Sequence, residues 1–173
     1  RKTGSSGHLR IYKIDSTEET IKTSITASEL NTLDAFTSGI VDASRITSIT
    51  GTAAEINTAY SSSGISGLGN ELAILTDTTL SANSLNILDS YTTGIVKAES
   101  ITTLTGSVAE IIKAYNSSGI TGLGDEAIIL SDSHTLNNLK IINNATTGII
   151  TLSDYTISLY GSASDLAAAL DGN

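Results

Sequence analysis

The residues with most capacity for chemistry in this sequence are carboxylates, and they recur. Asp34 and Asp89, Glu55 and Glu110, Glu71 and Glu126, and Asp77 and Asp132 form pairs, each 55 residues apart. A catalytic pair is needed once, whereas a residue that serves a scaffold is needed in every copy, so the duplication argues against an active site. Glu55 and Glu110 stand three residues after Thr52 and Ser107. At that spacing a hydroxyl and a carboxylate satisfy the first free N–H groups of a helix. The remaining acids read as a solvated acidic face. Asp125, Glu126 and Asp132 are the one candidate set of oxygen ligands for Ca²⁺. No EF-hand loop and no G-G-x-G-x-D nonapeptide accompanies them, so no cofactor is assigned.

Other reactive groups are sparse, and no catalytic residue is assigned. The chain has no Cys, which excludes disulfides, thiolate metal sites and thiol nucleophiles. His8 and His134 lie outside the repeats without a ligand-like spacing, and both read as surface histidines. No G-x-S-x-G nucleophile elbow occurs. The stretches Gly64–Gly69 and Gly119–Gly124 look superficially like a phosphate loop. They lack its lysine and its G-x-G-x-x-G spacing, and Asn70-Glu71 or Asp125-Glu126 follows, so they read as tight corners. The aromatic pairs Tyr60/Tyr115 and Phe36/Tyr91 fall at helix ends, where they are expected to staple each helix to the next repeat. If Tyr60, Tyr91 and Tyr115 were instead exposed in a row, they would be the candidate contacts for an assembly partner or a sugar. Asn116-Ser117-Ser118 and Asn144-Ala145-Thr146 match the glycosylation sequon, as chance alone produces in a chain this rich in Asn and Ser.

These residues must be positioned by a repeat. Residues 25–77 and 80–132 align without a gap and are identical at 30 of 53 positions. A looser third copy begins near Leu136. Each unit splits into halves of about 27 residues. One half carries T/S-A-x-x-L-N-x-L-D-x-x-T-x-G-I-V, as in 26–41 and 81–96, and the other T-G-x-x-A-E-I-x-x-A-Y-x-S-S-G-I, as in 50–65 and 105–120. Capping boxes at Thr52/Glu55, Ser107/Glu110 and Thr26/Glu29, with a shorter imitation at Ser162/Asp165, predict short helices. Gly39, Gly64, Gly94, Gly119 and Gly148 are expected to stop those helices in a left-handed conformation. Ile46–Thr50, Leu72–Thr76, Ile101–Leu104, Ala127–Ser131 and Tyr155–Tyr160 are predicted strands. Helices of about nine residues are marginal alone, so stacking must hold them.

The expected fold is therefore an α/β solenoid of about six coils, with a 55-residue double repeat. Residues 1–24 match no repeat and read as an N-terminal hairpin cap, from Leu9–Ile14 and Ile21–Ile25. Residues 25–173 form the solenoid, divided into 25–79, 80–134 and a partial 135–173. Two arrangements stay open, either one coil per half-unit with all helices on one side, or one large coil per unit with the two helix types on separate faces.

Charge narrows the choice of partners. Residues 1–24 carry five bases and three acids, a net of +2, and the rest carries four bases and fifteen acids, a net of −11. An acidic body repels nucleic acid and anionic membranes, and no run is long and apolar enough to span a bilayer. The chain opens at Arg1 and reads as a piece of something longer. Its uncapped end and opposed charges suggest head-to-tail self-association.

The segments L-T-G-S-V-A-E-I-I-K-A-Y at 104–115, T-T-G-I-V at 92–96 and S-S-G-I-T-G-L-G at 117–124 resemble a repeat of very long bacterial secreted and cell-surface proteins. The resemblance covers roughly 25–173 and brings no functional residues. It implies an adhesin-like or matrix-like spacer, extracellular or on the cell surface. The expected function is a non-enzymatic stalk, matrix or filament. The alternative is a carbohydrate- or receptor-binding module of the kind found in phage tail fibres.

Overall fold

The computed structural model describes residues 9–10, 12–15 and 18–170. The elements run in chain order as β1 (Leu9–Arg10), β2 (Tyr12–Asp15), β3 (Glu18–Ile21), β4 (Ser24–Thr26), α1 (Ala27–Phe36), β5 (Val41–Asp42), β6 (Ser48–Gly51), α2 (Ala53–Ser61), β7 (Ile65–Ser66) and β8 (Leu72–Leu75). They continue as β9 (Thr79–Ser81), α3 (Ala82–Tyr91), β10 (Val96–Lys97), β11 (Thr103–Gly106), α4 (Val108–Asn116), β12 (Ile120–Thr121), β13 (Ala127–Leu130), α5 (Leu136–Ala145), β14 (Ile150–Thr151) and α6 (Ala163–Leu170). The class is α/β, with parallel sheets alternating with helices.

The helices begin where the hydroxyls are. Thr26, Thr52 and Ser107 accept from the N–H of Glu29, Glu55 and Glu110, which return their carboxylates to the cap backbone. Thr135 and Asn138 form a further box, with an amide in place of the acid. At α6 the Ser162 hydroxyl accepts from Asp165 N–H, and the Asp165 carboxylate reaches only that hydroxyl, because its side chain is one carbon shorter.

Helix termination follows a different rule from the expected glycine stop. The chain leaves each helix at an extended Ser or Thr (Thr37, Ser62, Thr92, Ser117 and Thr146), and positive φ among the described glycines is confined to Gly67, Gly69, Gly106, Gly122 and Gly124. The glycines after the helices are there for space. A Cβ on Gly94 would lie 2.1 Å from the Glu71 carbonyl oxygen, and one on Gly64 would lie 1.9 Å from Asp34 Oδ1.

Strand pairing follows a 24-residue step. In the sheet ordered β12-β10-β8-β6-β4, Ile25 pairs with Ile49, Ile49 with Ala73, and Ala73 with Val96. In the sheet ordered β14-β13-β11-β9, Leu80 pairs with Leu104, Leu104 with Ile128, and Ile128 with Ile150. Apart from Ile150, these row members are buried, forming the floor on which Leu30, Ile56, Leu85, Ile111 and Leu139 of α1 to α5 pack. Each such aliphatic side chain contributes about 1.5–3 kcal/mol of burial. The helices themselves pack in chain order, each against the next from α1 to α6. Two 24-residue steps from Ser24 reach Leu72, whereas the 55-residue repeat places the counterpart of Ser24 at Thr79. The seven-residue difference is where the chain leaves β8 and starts β9 in a new sheet.

Two predicted segments fold otherwise. The hairpin pairs β2 with β3, Tyr12 opposite Ile21, while β4 joins the parallel sheet and β1 pairs with β5. Tyr155–Tyr160 is not a strand. Asp154 accepts from the Thr156 N–H and hydroxyl and bends the chain there, leaving Tyr155 and Tyr160 exposed.

Candidate functional site

The most unusual chemistry sits at the two glycine corners. Gly67 and Gly69 have φ of +85° and +133°, a region open to glycine at little cost. That conformation turns successive N–H groups to one side, making a concavity suited to an anion. The anion is the chain's own Glu71. Gly69 N–H donates to Oε1 and Oε2 at 3.0 and 2.9 Å, Asn70 N–H donates to Oε2 at 3.2 Å, and the Tyr60 hydroxyl donates to Oε2 at 2.8 Å. The second copy repeats this, with Gly124 N–H at 2.8 Å, Asp125 N–H at 3.3 Å and the Tyr115 hydroxyl all donating to the Glu126 carboxylate. Glu71 and Glu126 are 0% and 1% exposed. They are therefore not part of a solvated acidic face, because an ionised carboxyl is tolerated inside only when hydrogen bonds replace its water. Burial, and then the adjacent carboxylate, push both phenols far above their ordinary range.

The next helix closes each site. Thr92 Oγ1 and Thr146 Oγ1 donate to the carbonyl oxygens of Glu71 and Glu126, at 3.4 and 2.8 Å. Gly94 and Gly148 then pass so close to those carbonyls that no side chain fits. The corner that resembles a phosphate loop is thus an anion site already filled from within.

The other recurring acids are engaged as well. Ser62 and Ser117 hydroxyls donate to Asp34 and Asp89 of the preceding half-unit, both at 2.7 Å. Asp77 and Asp132 accept from the first helical N–H groups, Ala53 of α2 at 2.7 Å and Val108 of α4 at 2.8 Å, each 24 residues earlier. Glu55 and Glu110 complete their capping boxes. Asp125, Glu126 and Asp132 are not brought together: Asp125 is exposed, Glu126 is buried against Tyr115, and Asp132 caps α4. No group of three potential metal ligands occurs among the described residues.

Aromatic and histidine placements depart in part from expectation. Tyr91 stacks on Tyr60 with ring centroids 5.9 Å apart and planes 9° apart, so it joins α3 to α2 as a staple. Phe36, in the matching place on α1, is 86% exposed and staples nothing among the described residues. His134 is buried, not on the surface. It stands two residues before α5 as Leu80 stands before α3, so an imidazole occupies a core position, with Nδ1 left unpaired. His8 lies outside the described residues.

Sequence reasoning missed the Tyr–Glu pairs. Their signal was present as G-L-G-N/D-E with a tyrosine eleven residues before the glutamate, in both copies. No described helix is long and apolar enough to cross a membrane. Compared with family models, curated proteins and solved structures, the chain matches none.

Proposed function

We propose that this chain is a non-enzymatic structural segment of an extracellular or cell-surface protein, an α/β solenoid of about six coils of about 27 residues that serves as a stalk, matrix or filament. One observation carries the reading. All eight recurring carboxylates are engaged by hydrogen bonds within the chain, and four of them tie one half-unit to its neighbour. Groups consumed this way hold a scaffold together and leave no acid–base pair to act on a substrate. The helices pack in chain order, which favours one coil per half-unit over a large coil with helices on two faces.

End-to-end self-association belongs to the same proposal. Phe36 on α1 and Leu170 at the end of α6 are both exposed, and Leu170 stands eighth in its helix as Tyr60 does in α2. A second α1 packing on α6 would repeat the contact α3 makes with α2. Electron microscopy together with light scattering tests both parts. Elongated particles that lengthen with concentration are expected. A compact, round particle sinks the solenoid, and a mass that stays monomeric at high concentration and low salt sinks the association.

A further inference from the structure

The two 55-residue units are near copies, and they differ most usefully beside the second tyrosine. In the first unit the space between the end of α2, β7 and the end of α3 holds the ring of Tyr91, stacked on Tyr60. In the second unit the last residue of α5 is Ala145, where α3 ends in Tyr91. The ring is gone, and a cleft of about 550 Å³ opens beside Tyr115, bounded by Ala145, Ile120 and Ile141. That size lies within the range of small-ligand sites. Tyr115 cannot swing in to fill it, because its hydroxyl is held by the buried Glu126.

The rim has changed in step. Ser61 ends α2 and Ser90 precedes Tyr91, and both hydroxyls donate to carbonyls of their own helices, Thr58 at 3.2 Å and Ile87 at 2.6 Å. In the second unit these positions are Asn116 and Asn144. Both line the cleft and are exposed, and neither amide is hydrogen-bonded within the described residues. Thr121 adds a hydroxyl on the third side, where the first unit has Ser66.

We propose that this cleft binds the terminal hexopyranose of a glycan, its C–H face against the Tyr115 ring and its hydroxyls on Asn116, Asn144 and Thr121. The first unit shows that a six-membered ring fits between the two helix ends. The amides decide which kind of ring. A purely aromatic guest would desolvate them without pairing them, a net cost, whereas a pyranose offers an apolar face to the tyrosine and donors and acceptors at its edge. This inference does not depend on the chain being a spacer.

Saturation-transfer and amide-detected NMR with the methyl glycosides of D-glucose, D-galactose, D-mannose and N-acetyl-D-glucosamine, with p-cresol as the aromatic probe, test it. At least one glycoside is expected to receive saturation and to shift the side-chain amides of Asn116 and Asn144. Ala145→Tyr, which restores the first unit's ring while leaving Tyr115 and Glu126 intact, is expected to weaken that binding at least about tenfold without lowering the melting temperature. The double variant N116S/N144S, which restores the first unit's rim, decides the matter if Ala145→Tyr disturbs folding; it too should lose the binding. Silence from every glycoside, a response to p-cresol alone, or binding that survives in a folded variant overturns the proposal.

Discussion

Each buried glutamate is tolerated because three donors converge on it, and its phenol is the one donor that a substitution can remove cleanly. Tyr60→Phe leaves Glu71 with backbone N–H groups only and is expected to cost about 1–3 kcal/mol in denaturant unfolding. The phenols also set an alkaline limit. A group whose folded pKa lies above its unfolded value contributes stability that is complete below the unfolded value, about 10 for tyrosine, and is lost as pH rises toward the folded one. Absorbance titration should therefore show Tyr60 and Tyr115 lagging behind the other four tyrosines and ionising only as the protein unfolds. A single wave of six in the ordinary range would mean the pairs do not form. His134→Leu, which copies Leu80, should raise stability by about 1 kcal/mol, since an imidazole with an unpaired nitrogen yields to an apolar side chain. At this scale the sequence was legible where partners are local, as in the capping boxes three residues apart. It was opaque where the partner is set by a corner: neither composition nor periodicity says that Gly69 and Asn70 turn their N–H groups onto Glu71.

The elements were largely legible, and the misreadings share a cause. Helix starts depend on hydroxyls and acids a few residues away, so they can be read along the chain. Helix ends depend on what lies beside them in the next half-unit, and Gly94 and Gly148 answer to a neighbouring strand's carbonyl instead of to their own φ. Gly94→Ala is expected to destabilise by about 1–3 kcal/mol, as other overpacked sites do, even though alanine suits the backbone there. A melting temperature equal to the parent's would show that the close approach relaxes freely. Tyr155–Tyr160 has the composition of a strand, yet Asp154 diverts the backbone at its start. Asp77 works between elements: its carboxylate on Ala53 N–H fixes the start of α2 from 24 residues away. Asp77→Ala should cost about 1 kcal/mol, the worth of a helix cap.

Across the whole molecule two periods run side by side, 24 residues for strand pairing and 55 for the sequence, and they are reconciled once per unit at the step from β8 to β9. A half-unit does not return the chain to the same phase, whereas a full unit does. Removing residues 80–134 is therefore expected to leave a shorter protein that still unfolds cooperatively, as circular dichroism can follow. Removing only 80–106 should abolish the transition, because β8 would meet a strand out of register. The repeat was visible in the sequence at once, but the 24-residue period was not, since pairing strands share only their apolar pattern and not their residues. That hidden mismatch bears on how a gene of this kind can change. Unequal crossing-over between its copies is productive only in whole units, so descendants differ in length by fixed quanta. Any distance such a chain measures is set by counting and not by continuous trimming.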